Sequence, residues 1–285
     1  MHPEGRRDSL AKSSPAAGSV ASSAPAREPL EPVVAHRQDG DSSHAVSETL
    51  AAEVPVAMQF NARPYAVMMA TPADLDDFAY GFALTERIIA SVSELTLVDT
   101  VWTQHGVVLE MLIPQQRMLP LQTRDRNLTG RTGCGLCGTA TLEAAIRPVR
   151  HVESSGPRAT LSALRAGMLR LSRQQPLNDA CGALHAAALI CDDDSFTVRE
   201  DVGRHNAIDK SVGAVMRVGL KPHSLLVTSR ASYEVVHKAA EVGCRLVAAV
   251  SAPTGLALEL AKQAGITLVG WARPPRLTLY CGSLS

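Results

Sequence analysis

Gly133-Cys134-Gly135-Leu136-Cys137-Gly138 places two thiols three positions apart, with glycine on both sides. No bulky neighbour along the chain shields either sulfur. The segment therefore suits thiols presented to a large partner better than cysteines buried as small hydrophobes. The stretch before it, Gln122 to Thr132, is polar and basic, with Arg124, Arg126 and Arg131. Nearby cations favour thiolate, the form that attacks sulfur or binds metal, and can lower a thiol pKa from roughly 8.5 to about neutral or below.

Four chemistries compete for this loop. A dinucleotide fingerprint G-x-G-x-x-G matches literally, but it needs a hydrophobic strand immediately upstream, and Thr129-Gly130-Arg131-Thr132 is not one. Half of a structural zinc site needs a second close-spaced pair, and Cys181, Cys191, Cys244 and Cys281 supply no further C-x-x-C. Zinc therefore stays open but is not favoured, while a thioredoxin-like redox pair and a thiol that cycles through a persulfide lead and are ranked about equally by pattern alone.

The surrounding protein has 285 residues, 46% hydrophobic and 20% charged, with zero net charge. This suits a soluble globular chain and gives no global electrostatic case for nucleic acid or a membrane surface. Six cysteines are too few for a disulfide scaffold and read as reduced thiols. No apolar run approaches the roughly 20 residues of a spanning helix. Arg6-Arg7 superficially resembles a twin-arginine signal, but Ser13 to Ala26 is broken by Pro15, Gly18 and Pro25 and cannot serve as its apolar region. The expectation is a cytoplasmic protein with a disordered Ala/Ser/Pro-rich tail over 1–48.

Order is expected from near Glu53. Val54–Phe60 and Tyr65–Ala70 read as a hairpin, and Thr71-Pro72 as the cap and first position of a helix running to about Ala90. Leu97–His105 and Val107–Ile113 complete a small N-terminal α/β subdomain over 49–125. The core, 126–285, opens with the cysteine loop. Helices are expected over Thr139–Ile146, Leu161–Gln174, Asn206–Val218, Tyr233–Val242 and Thr254–Ala264. Strands are expected over His185–Cys191, Phe196–Glu200, Leu225–Ser229, Leu246–Val250 and Ile266–Trp271. This alternation implies an α/β fold: an at least partly parallel sheet with helices on both faces.

Ligands of such sheets bind at the carboxyl ends of strands. Four clusters fall there. Arg199 to Lys210 contains Gly203, Arg204 and His205, where a helix N-terminus and two side-chain donors suit an anion. Ser229 and Arg230 lead a second helix, and Ser251 to Thr254 a third. Beyond the last strand, Trp271-Ala272-Arg273-Pro274-Pro275-Arg276 joins a stacking face to two cations, which suits a nucleotide or pterin. His185 sits at a strand start and reads equally as a core or a site residue.

Taken together, Ala66 to Leu75, Thr132 to Gly138, His185 to Leu189, Arg199 to Lys210, Ser229 to Glu234, Ser251 to Thr254 and the strand into Trp271 resemble the FdhD family in content and order, over about Glu53 to Tyr280. The resemblance implies a cytidine-deaminase-like core, a homodimer, and a sulfurtransferase that takes sulfur from an IscS-type cysteine desulfurase as a cysteine persulfide. It also implies delivery to molybdenum bis(molybdopterin guanine dinucleotide) before that cofactor enters formate dehydrogenase. By position Cys134 would carry the persulfide, Cys137 would assist, and Trp271 to Arg276 would contribute to cofactor binding. The chain departs from the family at Asn61-Ala62, where Asn-Gly is frequent, and at Cys181-Gly182-Ala183, where a Gly-Gly pair is frequent. Two alternatives stand beside this reading. One is a cofactor-holding chaperone without sulfur chemistry. The other is a zinc deaminase, which is disfavoured because His151-Val152-Glu153 follows the cysteine pair instead of preceding it.

Overall fold

The computed structural model describes residues 24–125, 147–153 and 159–285. Cys134, Cys137 and the helix expected over Thr139–Ile146 lie outside the described residues.

Val54, Val56, Met58 and Phe60 alternate with half-buried residues, and this period of two folds Val54–Phe60 as a strand with one face in the core. We label the described strands in chain order: β1 Leu30–Asp39, β2 Ser42–Ala51, β3 Val54–Phe60, β4 Arg63–Ala70, β5 Thr96–Thr103 and β6 Gly106–Leu112. β3 to β6 form a four-stranded sheet in the order β4-β3-β6-β5, with β3 and β6 parallel. The turn between β3 and β4 holds both Asn61 and Ala62 at positive φ, 51° and 61°. Asn61 tolerates this and ties the turn to the end of β6 by exchanging two hydrogen bonds with the Ile113 backbone, at 2.9 and 2.8 Å. Ala62 has no such compensation.

The second sheet contains β7 His185–Cys191, β8 Phe196–Asp201, β9 Pro222–Val227, β10 Leu246–Ala249, β11 Thr267–Arg273 and β12 Arg276–Cys281. Its order is β12-β11-β10-β9-β7-β8. β9, β10 and β11 are parallel, whereas β7 runs antiparallel to both β8 and β9. The helices are α1 Leu75–Thr85, α2 Gln115–Asp125, α3 Leu161–Arg173, α4 Pro176–Cys181, α5 Arg204–Arg217, α6 Tyr233–Glu241 and α7 Gly255–Ala264. Side chains along β7 alternate between two apolar layers. Ala186 and Ala188 join Leu164, Met168 and Leu171 of α3. Ala187 and Leu189 join the larger layer beneath α5, α6 and α7, which runs on through α1 into the first sheet. The mixed α/β architecture with helices on both faces is thus the observed one.

Several expectations need correction. The disordered tail cannot extend to 48, because β1 and β2 pair antiparallel from Leu30↔Ala51 to Asp39↔Ser42. Their polar, mostly exposed sequences hid them, and the reversal is made by Gly40 at φ +60°. Thr71 does not cap α1. Asp74 precedes the first turn, and the Thr71 backbone is engaged elsewhere. α1 stops at Thr85, and Arg87 at φ 56° turns the chain so that Ile88 and Ile89 fold back into the core. α2, α4 and β12 were not expected. The chain after Trp271 returns as the antiparallel partner of β11.

α1 and α5 cross at their glycines. A Cβ on Gly81 would lie 1.7 Å from the Asp209 carbonyl oxygen, and one on Gly213 would lie 1.8 Å from that of Asp77. Backbone cannot yield there as a flexible side chain can. Gly213→Ala is expected to lower stability by about 3 kcal/mol. Ala62→Gly removes an L-residue from left-handed backbone and is expected to raise it by about 1 kcal/mol. Urea unfolding of both variants checks the pair, and equal midpoints would contradict both assignments.

Candidate functional site at the carboxyl edge of the six-stranded sheet

β8, β9, β10 and β11 all end at one edge of the sheet, and β7 begins there. The edge therefore collects His185, the Val202–His205 turn, Thr228–Arg230, Ser251 and the β11–β12 turn.

Asp201, the last residue of β8, organises the turn into α5. Its side chain has no exposed surface, and neither has that of Lys210. One carboxylate oxygen accepts from the Lys210 ammonium at 2.7 Å and from the Thr71 N–H at 3.0 Å. The other accepts from the Gly203 N–H at 2.7 Å and from Asn206 Nδ2 at 2.9 Å. Lys210 also donates to the Thr71 carbonyl at 2.8 Å, Val202 N–H to Thr71 Oγ1 at 3.1 Å, and Asn206 Nδ2 to the Met69 carbonyl at 2.8 Å. The end of β4 and the start of α5 are thereby fixed to one another. Gly203 is required by space: a Cβ would come 2.8 Å from Asn206 Nδ2 and 3.3 Å from Asp201 Oδ1.

Between these elements lies a cavity of about 430 Å³. Gly203, Arg204, His205 and His185 form its polar wall, Val67 to Met69 of β4 its apolar wall, and Glu53 a further part of its lining. Arg204 Nε is buried with no partner among the described residues. His205 Nε2 lies 2.5 Å from Glu234 Oε2 of α6. Burial lowers the His185 pKa below its ordinary 6.5, and the charges of Arg204 and His205 lower it further, against an opposing pull from Asp201. His185 is therefore neutral at pH 7.

A second cavity, about 340 Å³, opens on the α3 face. Ala272, Arg273 and Pro274 meet Met168, Leu171 and Thr228 there. Trp271 beside it is held at φ 52°, more than a third exposed, with the Arg276 guanidinium 5.9 Å from its ring. A non-glycine residue in left-handed backbone where β11 and β12 lose register marks a site that the fold over-determines. Pro275 and Arg276 continue the turn, and the Pro275 carbonyl accepts from Arg165 of α3.

The structure thus gathers the expected residues into two groups. Gly203, Arg204 and His205 line the first cavity, and Ala272, Arg273 and Pro274 line the second. Ser229 is buried and its hydroxyl donates to the Arg230 carbonyl at 3.0 Å, whereas Arg230 is exposed; neither lines these cavities. Thr254 caps α7 through the Ala257 N–H, while the Ser232 side chain makes no cap bond. Arg199 is held by Asp77 of α1 and by Asp74 just before it. Glu53, Val67 to Met69, Asp201 and Glu234 were not singled out as site residues. Glu234 and Asp201 fell inside motif segments, but nothing local to Glu53 announced a role. Among the described residues no group of three or more His, Cys, Asp or Glu side chains could hold a metal ion.

Comparison with known proteins decides the family. The model of the FdhD/NarQ family matches residues 51–284. The chain belongs to the FdhD/NarQ family. Relatives named sulfur carrier protein FdhD are 45% identical in Xanthomonas euvesicatoria pv. vesicatoria, over 86% of this chain and 88% of that one. The match in Cupriavidus necator is 45% over 82% of each chain, and in Bordetella bronchiseptica 44% over 85% and 86%. A crystal structure from Desulfotalea psychrophila, described as a formate dehydrogenase accessory protein, superposes with a TM-score of 0.71 at 20% identity. It covers 89% of this chain and 98% of that one, and it shares the fold. Both cavities and Cys134 and Cys137 lie within the FdhD/NarQ span.

Removing the Arg204 charge relieves one of the two main causes that hold His185 low. In Arg204→Met the His185 imidazole midpoint, followed by NMR, is expected to rise yet stay below 6.5, because burial persists. An unchanged midpoint would contradict the placement of Arg204. The sign for stability follows: a histidine with a depressed folded pKa contributes stability above about pH 6.5 that is lost as pH falls.

Proposed function

We propose that this chain is a sulfur carrier that serves formate dehydrogenase. The observation that carries the reading is 45% identity across 249 residues to a protein named sulfur carrier protein FdhD, in a chain whose family span includes the Cys134–Cys137 pair. The donor is an IscS-type cysteine desulfurase. The Cys134 thiolate attacks the terminal sulfur of the donor persulfide. The new bond is Cys134 S–S, the donor sulfur–sulfur bond breaks, and the donor cysteine leaves as thiolate. Cys137 assists or takes the sulfur onward.

The acceptor is molybdenum bis(molybdopterin guanine dinucleotide), which is a substrate here, before insertion into the formate dehydrogenase catalytic subunit. The edge cavities support this assignment by their chemistry. The α5 N-terminus with Arg204 and His205 suits a pyrophosphate, and Trp271 with Arg273, Pro274 and Arg276 suits a flat heterocycle at the second cavity. The working unit is a cytoplasmic homodimer. No described helix is long and apolar enough to cross a membrane.

The test is intact-protein mass spectrometry after incubation with cysteine and an active desulfurase, comparing wild type, Cys134→Ala and Cys137→Ala. A dithiothreitol-labile gain of one sulfur is expected in wild type and Cys137→Ala, and none in Cys134→Ala. No gain in any form, with a desulfurase shown active on another acceptor, would leave a cofactor holder without sulfur chemistry as the better reading.

A further inference from the structure

The first cavity has three kinds of wall, and only one of them is explained by an anion. The turn at Gly203–His205 supplies donors: Arg204, His205 and the free N–H groups of the first turn of α5. Val67 to Met69 supply an apolar face. In a cavity that a basic turn also lines, Glu53 is an anomaly. It is exposed, it lines the same cavity, and it forms no ion pair among the described residues. A carboxylate in a phosphate site costs affinity by repulsion unless the ligand offers it donors of its own. The backbone on either side of it is tied down: Ala52 N–H bonds the Pro29 carbonyl at 2.9 Å, and Val54 starts β3 opposite Ala70.

A planar ring that presents two adjacent N–H donors, joined to a phosphate, satisfies all three walls at once. The 2-amino-4-oxopyrimidine edge is such a ring system, because its ring N–H and 2-amino group match the two oxygens of one carboxylate. Adenine lacks that pair. We propose that Glu53 is a specificity-determining residue that reads the 2-amino-4-oxopyrimidine edge of a ligand whose phosphate sits at the N-terminus of α5 and whose ring lies against Val67 to Met69. Guanine and pterin share this edge, so the chemistry is common to both. The inference rests on the reading that the chain binds a pterin guanine dinucleotide. A cavity of about 430 Å³ is of a size to take one nucleotide or one pterin with its phosphate.

Calorimetric titration of the full chain with GDP, IDP, ADP and 6-hydroxymethylpterin tests it, on wild type, Glu53→Gln, Glu53→Ala and Arg204→Ala. Wild type is expected to prefer GDP over ADP by about 10- to 100-fold, the range for one charge-assisted pair made or left unmade, with IDP between them. Glu53→Ala and Glu53→Gln are expected to collapse that preference while ADP affinity stays level or rises. Arg204→Ala is expected to weaken all three diphosphates alike. If the pterin binds wild type but not Glu53→Ala, the ring read is pterin; if only GDP shows that dependence, it is guanine. A GDP preference that survives both Glu53 variants overturns the role of Glu53 alone. Wild type that binds none of the four probes overturns the dinucleotide reading beneath it. Glu53 is exposed, so a retained melting temperature in both variants is expected and separates loss of reading from loss of fold.

Discussion

Asp201 and Lys210 are a charge pair with no solvent contact, placed where two sheets and two helices meet. Taking two ions out of water costs several kcal/mol each, and their mutual attraction offsets this only when every remaining lone pair and proton is also satisfied. Here the carboxylate takes four donors and the ammonium two acceptors, with Thr71 reaching both ions from the end of another sheet. Thr71 gives its N–H to the carboxylate and its carbonyl to the ammonium, while Gly203 and Asn206 fill the second oxygen. The pair is tolerable only if the β4–α1 corner and the β8–α5 turn are both in place, so it selects their mutual position. The basic turn and the apolar strand of the first cavity are those same two elements.

α5 carries this logic along its length. From His205 to Gly213 every residue is buried, including Asp209, Lys210 and Ser211. Asp209 and Lys238 of α6 form a second buried pair, completed by Thr85 of α1. Burial raises the Asp209 carboxyl above its usual range. On Lys238 burial acts downward, but Asp209 and Glu86 outweigh it and hold the ammonium up. A helix so polar can be central because α1 crosses it at Gly81 and Gly213 with backbone against backbone. The close crossing leaves the buried charges to be met by partners and not by water.

This is also why the sequence was legible in one respect and misleading in another. The apolar strands β7, β9, β10 and β11 show in composition, because strands buried on both faces read as short Val/Leu/Ala runs, and β3 shows in its period of two. The helix over α5 was legible too, but the burial of its charged first turns was not. It depends on groups from other elements, among them Thr71, Thr85 and Lys238. β1 and β2 were illegible for the opposite reason: a polar ribbon that packs little against the core carries no hydrophobic period. Of the site, the motif-bearing turns at Gly203–His205 and Ala272–Pro274 were visible as strand-end clusters. Their separation into two cavities was not, because strand order is a tertiary fact and β7 sits between β8 and β9.

The division of labour in the first cavity follows from the same topology. A helix N-terminus with arginine and histidine attracts any phosphate and cannot tell one base from another. Selectivity has to come from a wall that the helix does not own, and the six-stranded sheet offers none at that end, where β8 is the edge strand. The wall comes instead from the N-terminal sheet, through Glu53 and Val67 to Met69. The Thr71–Asp201–Lys210 junction fixes its distance from the basic turn. Loss of the Asp201 charge would therefore strand a buried ammonium and free the two walls from each other. Affinity for phosphate alone would be less affected than discrimination among rings, since the first needs only α5 and the second needs both sheets held in register.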